Sequence, residues 1–179
     1  MSRTDEDVLE AAVHEHARLV YRIAYSVLRN HHDAEDATQE TFMRVLRYRR
    51  RLEGVQDVKT WLAKIAWRVA VERSKHHTDV SLSEQQIQKA AEEISSQMTS
   101  AEESALAHET ERLLSQLIAG LPEQQRDALR LSTVEELAPA EIAEVLATSE
   151  SSIRSRIFRA RQILKQKLAA LENSYGNKR

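Results

Sequence analysis

The sequence contains no cysteine, and only 3 glycines and 2 prolines in 179 residues. The missing thiols exclude disulfides, thiol nucleophiles and Cys-ligated zinc, in keeping with a reducing cytoplasm, the expected location. So few chain breakers exclude a β-rich fold of many tight turns and point to long helices. Aromatic residues make up 4% of the chain, so its cores are aliphatic. No apolar run approaches the roughly 18 residues that span a bilayer. The start is acidic (Asp5, Glu6, Asp7), without the apolar stretch of a secretory signal, and no membrane insertion is expected. Also missing are a glycine-rich phosphate loop, a nucleophile motif and a metal-spaced ligand set. His14 and His16 are two residues apart, and His31 and His32 are adjacent, so neither pair shares a helix face as His-Glu-x-x-His does. Neither an enzyme nor a bound cofactor is expected.

What is present is charge, strongly segregated. The net charge of -2 conceals four blocks. Residues 1–40 carry 4 Lys/Arg against 9 Asp/Glu, residues 41–77 carry 10 against 3, residues 78–150 carry 4 against 15, and residues 151–179 carry 8 against 1. Two basic blocks, each preceded by an acidic one, suggest anionic partners at two separate places. Chance clustering on solvated helices is the alternative.

Helical periodicity runs through Val8, Leu9, Ala12, Leu19, Ile23, Ala24 and Val27, then breaks at Asn30-His31-His32. A second helix is expected from Asp33 and a third from Lys59, with a loop over Arg49–Val58. Residues 77–102 are rich in Ser, Gln, Glu and Thr and read as a polar linker. A helix then runs from Glu103 to Gly120. Pro122 and Pro139 suit the first turns of two more helices, Glu123 to Leu131 and Pro139 to Leu146. Ser149 caps a last helix that reaches Leu171. The expected fold is all-α. Two small helical domains, 1–76 and 103–172, flank the linker, and a frayed tail follows at 173–179.

Two short-linked helices, the second one basic, form the pattern of a helix-turn-helix. Projected down the axis of the last helix, Ile153, Ile157, Ala160, Leu164 and Leu168 fall together in one narrow apolar stripe. Arg154, Phe158, Ser155 and Arg159 fall outside it, on the other face. Phe158 has no core to fill there and suits a base or a thymine methyl in a major groove. Arg154 and Arg159 suit base edges or phosphates, and Arg156 and Arg161, flanking the stripe, suit phosphates. A solvated Arg-rich helix face has the same periodicity, so the pattern alone decides neither.

Residues Leu121–Leu131 (LPEQQRDALRL) and Pro139–Leu168 (PAEIAEVLATSESSIRSRIFRARQILKQKL) resemble region 4 of bacterial sigma factors. The resemblance implies that Arg154, Ser155, Phe158 and Arg159 read the promoter's minus-35 element. Ser132 stands where many relatives carry an arginine that grips DNA, and Ala147 and Ser151 replace glycines common around the turn.

Residues Asp33–Leu46 (DAEDATQETFMRVL) and Lys59–Arg73 (KTWLAKIAWRVAVER) resemble sigma region 2. On the first of these, Asp36 and Glu40 share a stripe with Asp33, opposite Phe42, Val45 and Leu46, the expected buried face. Acids early in a helix are also favoured by its dipole. The resemblance implies that Asp33, Asp36, Gln39 and Glu40 dock on the polymerase clamp. It also implies that the loop Arg49–Val58 and the helix after it capture the melted minus-10 strand. Such capture needs cations for phosphates and planar groups for unstacked bases, and Arg51, Lys59, Lys64, Trp67 and Arg68 are the candidates. Trp61 is expected in the core. Trp67 projects away from it, towards Lys64 and Arg68, to stack on a base or an arginine or to lie on the surface. Relatives usually carry Arg-Asn in place of Trp67-Arg68.

Both regions in this order, with no room for a region 3, resemble the extracytoplasmic-function (ECF) sigma factors. The implied partners are core RNA polymerase, promoter DNA and an anti-sigma factor. A helix-turn-helix regulator acting without polymerase accounts for the second block alone, and a helical adaptor protein with no DNA role predicts no salt-sensitive DNA binding.

Overall fold

The structure, a computed structural model, describes residues 3–48, 55–80, 101–134 and 136–176. Among these residues all regular structure is α-helical. The helices are α1 (Arg3–Leu28), α2 (His31–Arg47), α3 (Val58–Val80), α4 (Ala101–Ala119), α5 (Glu123–Ser132), α6 (Pro139–Val145) and α7 (Glu150–Gly176).

Helix ends follow local chemistry. Arg29 adopts φ 55° and stops α1. Asn30 is extended, and its side-chain oxygen accepts the Asp33 N–H at 2.9 Å. Because Asn30 is the cap, α2 starts at His31, two residues before the expected Asp33. Asp57 caps α3, accepting the Thr60 N–H at 3.0 Å and its hydroxyl at 2.6 Å. These two bonds from Thr60 hold the Asp57 carboxyl below the usual carboxylate range. Pro122 precedes α5, and its carbonyl accepts the Gln125 and Arg126 N–H groups, both at 2.9 Å. The Ala138 N–H donates to Glu141 Oε2 at 2.6 Å, so a first-turn acid closes the start of α6. Ser149 Oγ accepts the Ser152 N–H at 3.2 Å and opens α7. That helix runs on to Gly176, through Asn173–Tyr175, where a frayed tail was expected; no proline or glycine intervenes to stop it.

The polypeptide forms two compact units. One consists of Met1–His77 and Arg130–Ser155, the other of Thr78–Leu129 and Arg156–Arg179. In the first, α1 packs along α2. Leu19, Val20, Ile23, Ala24 and Val27 of α1 are buried, as are Ala34, Ala37, Thr41 and Val45 of α2. Phe42 is only half-buried and Leu46 is 37% exposed. The buried face of α2 therefore keeps the expected Val45 but turns from Phe42 and Leu46 to Ala34, Ala37 and Thr41. Its small residues let the two helix backbones approach closely. Tyr21, Tyr25 and His31 stack at the corner, with a 2.6 Å bond between the Tyr21 hydroxyl and His31 Nδ1. The segment Arg130–Ser155 is tied to this unit by ion pairs of Arg22 with Glu136 (3.2 Å), Lys59 with Glu141 (2.7 Å) and Lys64 with Glu144 (3.2 Å). In the second unit Leu121, Leu129 and Ala160 form a buried cluster, backed by Ile118, Ile163 and Leu164. Lys167 Nζ donates to the Gly120 carbonyl at 3.2 Å and closes the end of α4.

The turn between α6 and α7 is tight. Its Thr148 N–H bonds back to the Ala143 carbonyl at 2.9 Å, and Ala147 takes φ 49°, the left-handed region. A side chain there clashes with its own backbone, which glycine avoids. Ala147→Gly is expected to raise stability by about 0.5–1 kcal/mol, net of the added freedom of the unfolded chain. Chemical denaturation checks this; an unchanged or lower midpoint contradicts the strain.

Candidate nucleic-acid interface

Helix α7 carries the first candidate face. Phe158 is 63% exposed, and Arg154, Arg159 and Arg161 are exposed around it. Ser155 and Arg156 are half-buried. Arg154 donates to Glu150 one turn earlier, at 2.5 Å, which compensates part of its charge. Among the described residues Arg159 and Arg161 have no ion-pair partner. An aromatic ring left in water beside uncompensated guanidinium groups forgoes about 1.5–3 kcal/mol that burial against a partner returns.

The second face lies in the α1–α3 bundle. Residues Leu62, Ala63, Ala66, Trp67, Val69 and Ala70 of α3 are buried. Trp67 is 7% exposed, so it belongs to the core and is not available to stack on a base, contrary to expectation. The helical positions explain the exchange. Ala63, Ala66 and Ala70 recur at three- and four-residue spacing and share one arc of the helix with Leu62, and Trp67, four residues after Ala63, extends that arc. Trp61, expected in the core, projects from the far side of the helix and is half-buried. It forms a single stripe with Ile65, Arg68 and Glu72, which recur at i, i+4, i+7 and i+11. This stripe faces Arg44, Arg47 and Tyr48 at the end of α2 across a cleft of about 580 Å³. Tyr48 is 51% exposed. Two aromatic rings and three guanidinium groups thus line one open depression. Of the other strand-contact candidates, Arg68 lies in the cleft, Lys59 and Lys64 are the lysines paired with Glu141 and Glu144, and Arg51 lies outside the described residues.

A network joins the cleft to the acidic edge of α2. Glu40 accepts from Arg44 Nη2 at 2.6 Å and from Arg73 Nε at 2.8 Å. Arg44 also bonds Glu72 at 2.7 Å, and Arg73 approaches Asp36 at 3.6 Å. Asp36 and Glu40 therefore hold α2 to α3 as well as making its surface acidic. Gln39 is exposed, and Asp33 is half-buried behind the Asn30 cap. Beside them Met43 is 57% exposed. In projection it falls between Gln39 and Asp36, a position legible from the sequence although Met43 is not among the expected docking residues.

The family profile of sigma-70 region 2 matches residues 12–78, and that of sigma-70 region 4 matches residues 111–164. The chain is 34% identical over 149 residues to the ECF RNA polymerase sigma factor SigM of Bacillus subtilis, covering 82% of this chain and 86% of that one. Its fold resembles CnrH in a complex with the cytosolic domain of CnrY (TM-score 0.62, 19% identity, 92% and 90% of the two chains). It also resembles the sigma factor RpoE of Bartonella quintana in a complex with the anti-sigma factor NepR (TM-score 0.53, 17% identity, 89% and 96%). Two region matches in sequence order, joined to an all-helical fold, define a transcription-initiation subunit. The chain belongs to the ECF-type RNA polymerase sigma factors. It binds core polymerase and directs promoter recognition through regions 2 and 4; it is not an enzyme. Neither a regulator acting without polymerase nor an adaptor accounts for both regions. Among the described residues no helix is long and apolar enough to cross a membrane.

Burial raises the Glu40 carboxyl, but the hydrogen bonds from Arg73 and Arg44 outweigh it and hold the group below its ordinary value of 4.5. A carboxyl depressed in the folded state contributes stability above the unfolded value and loses it as pH falls through the folded one. Glu40→Gln is expected to cost about 1–2 kcal/mol at pH 7, since the network is partly solvated. It should also flatten the loss of stability on acidification below 4.5. Urea unfolding at a series of pH values checks this, and a variant as acid-sensitive as the native protein contradicts it.

Proposed function

We propose that α7 reads the duplex minus-35 element while the α2–α3 cleft takes an unstacked base of the minus-10 element. The observation that carries the first half is Phe158, 63% exposed on a helix whose neighbouring turns present Arg154, Arg159 and Arg161. A helix of this kind fits a major groove, with Phe158 against an apolar base edge and Arg159 on a base edge or a phosphate. Arg161 and the half-buried Arg156 neutralise backbone phosphates, and Ser155 stands beside them as a hydrogen-bonding group. In the cleft, Trp61 and Tyr48 supply stacking surfaces and Arg68 and Arg47 supply charge, the combination that single-strand capture requires. Lys59 and Lys64 reach strand phosphates when they exchange Glu141 and Glu144 for the nucleic acid, and Arg51 extends the same basic segment.

The edge of α2 formed by Asp36, Gln39 and Glu40, with Asp33 at its start and Met43 at its centre, docks on the polymerase clamp. An anti-sigma factor, the kind of partner present in the Bartonella quintana RpoE complex, holds the chain inactive. The protein works in the cytoplasm, where core polymerase and promoter DNA are.

Reconstituted transcription with core polymerase tests the division of labour. Arg159→Ala and Phe158→Ala are expected to reduce initiation about tenfold or more on promoters with an intact upstream element. Arg161→Ala is expected to weaken all promoters alike and to lower the salt dependence of binding by about one released counterion. Equal loss on promoters with and without the upstream element in the Phe158 and Arg159 variants contradicts the assignment.

A further inference from the structure

We infer that Glu136, Glu141 and Glu144 form an electrostatic latch that holds the free chain closed and covers the lysines that take the melted strand. The inference rests on the proposed strand role of Lys59 and Lys64 and adds what controls access to them. Three ion pairs join the helix-turn-helix segment to α1 and α3 within one compact unit. Arg22 of α1 pairs with Glu136 at 3.2 Å, and Arg18 approaches the same side chain at 3.8 Å. Lys59 and Lys64 of α3 pair with Glu141 at 2.7 Å and with Glu144 at 3.2 Å. Lys64 stands one helical turn from both Trp61 and Arg68, at the border of the cleft stripe. Carboxylates and phosphates draw on the same donors, so α6 and a nucleic-acid strand compete for these lysines. The acidic block at residues 78–150 thereby supplies counter-charge to the basic block at 41–77. Lys59 and Lys64 are 33% and 35% exposed in these pairs and Glu144 is 61% exposed. Pairs so solvated are individually weak and screened by salt, so the latch yields to a denser anion.

The closed arrangement cannot serve a promoter engaged at both elements. Arg154 and Ser155, at the start of the helix proposed to read the minus-35 element, belong to the same compact unit as α2 and most of α3. Elements at minus-35 and minus-10 lie roughly 25 base pairs apart, about 85 Å of duplex at about 3.4 Å per pair. A compact unit of about 100 residues has a radius of gyration of about 13 Å. A chain that holds both elements at once has therefore parted α6 from α3, and the three ion pairs with it. Parting them uncovers Lys59 and Lys64. The separation that promoter geometry demands and the exposure of the strand contacts are then a single event.

The test uses the full-length protein. The chain has no cysteine, so Lys75→Cys and Ala140→Cys place two dyes selectively, on exposed positions of α3 and α6. Energy transfer between them is expected to be high in the free protein and to fall as salt rises. It should be lost in the open complex with core polymerase and promoter DNA. Glu136→Gln, Glu141→Gln and Glu144→Gln together remove the latch charges, and a glutamine at 141 can still accept the Ala138 N–H. This variant should show lower transfer when free. It should also bind a fluorescent single-stranded oligonucleotide of mixed sequence about tenfold more tightly than the native chain. The comparison is Glu15→Gln, Glu109→Gln and Glu123→Gln, the same charge change at exposed positions elsewhere. Lys59→Ala with Lys64→Ala should abolish the gain. Transfer no higher in the free protein than in the open complex overturns the latch. So does a latch variant that behaves like the comparison variant in both measurements. A gain in strand binding that survives the loss of Lys59 and Lys64 overturns instead the strand role of those lysines, and the inference with it.

Discussion

The geometry of region 2 depends on Glu40. One carboxylate on α2 takes hydrogen bonds from Arg44 in its own helix and from Arg73 on α3, and Arg44 passes the connection on to Glu72. Four charged side chains thus fix the C-terminal half of α2 against the middle of α3, the two surfaces that bound the cleft. An isolated surface pair contributes little to stability, because water screens it and two long side chains lose freedom. A network with shared partners is different, since each group is held by more than one neighbour and its orientation is specified. The same network decides which cations are left for nucleic acid. Arg44 and Arg73 are consumed internally, whereas Arg68 is not.

The two faces proposed for DNA solve the same problem differently. On α7 the reading groups project from a continuous helix opened by the Ser149 cap, and their spacing is that of the helix itself. The strain nearby is at Ala147, whose positive φ produces the tight entry into the helix. In the α2–α3 cleft the groups come from two helices, so their mutual position depends on packing, and the packing on small residues. Ala34, Ala37 and Thr41 of α2 and Ala63, Ala66 and Ala70 of α3 are all nearly inaccessible to solvent. Such short side chains bring helix backbones close together and leave longer ones, such as Trp61, Ile65 and Arg68, at the margin where a cleft forms.

That use of alanine explains what could and could not be read from the sequence. The all-helical fold, the break at Asn30, the cap at Ser149, the starts at Pro122 and Pro139 and the Ile153 and Ala160 positions of the α7 stripe are legible, because each is a local signal; Leu168, at the end of that stripe, is 40% exposed. On α2 the buried face keeps the expected Val45 but not Phe42 or Leu46, and on α3 the two tryptophans exchange places. Large apolar residues (Phe42, Leu46, Trp61) carry the stronger hydropathy signal, while the alanines and Thr41 that occupy the core carry a weak one. The consequence was the reversal of the two tryptophans: Trp67 packs inside, and Trp61 lines the cleft. The acids of α2 are visible in the charge pattern, and Glu40 and Arg44 are one turn apart on one helix, but the ties of Arg44 to Glu72 and of Glu40 to Arg73 are not legible, since partners 28 and 33 residues apart in sequence are set by tertiary packing. Met43 is within reach of the same projection that places Asp36 and Gln39.

If the α2–α3 cleft holds a base of the melted promoter strand, photochemical crosslinking in the open complex detects it most directly. The native holoenzyme is assembled on a promoter carrying a photoreactive base at each minus-10 position of the non-template strand in turn, and the adducts are mapped by mass spectrometry. One position is expected to crosslink strongly to peptides containing Tyr48 or Trp61, with the signal absent from the closed duplex complex. Open-complex crosslinks that never include either aromatic residue, at any minus-10 position, would contradict a base site in the cleft.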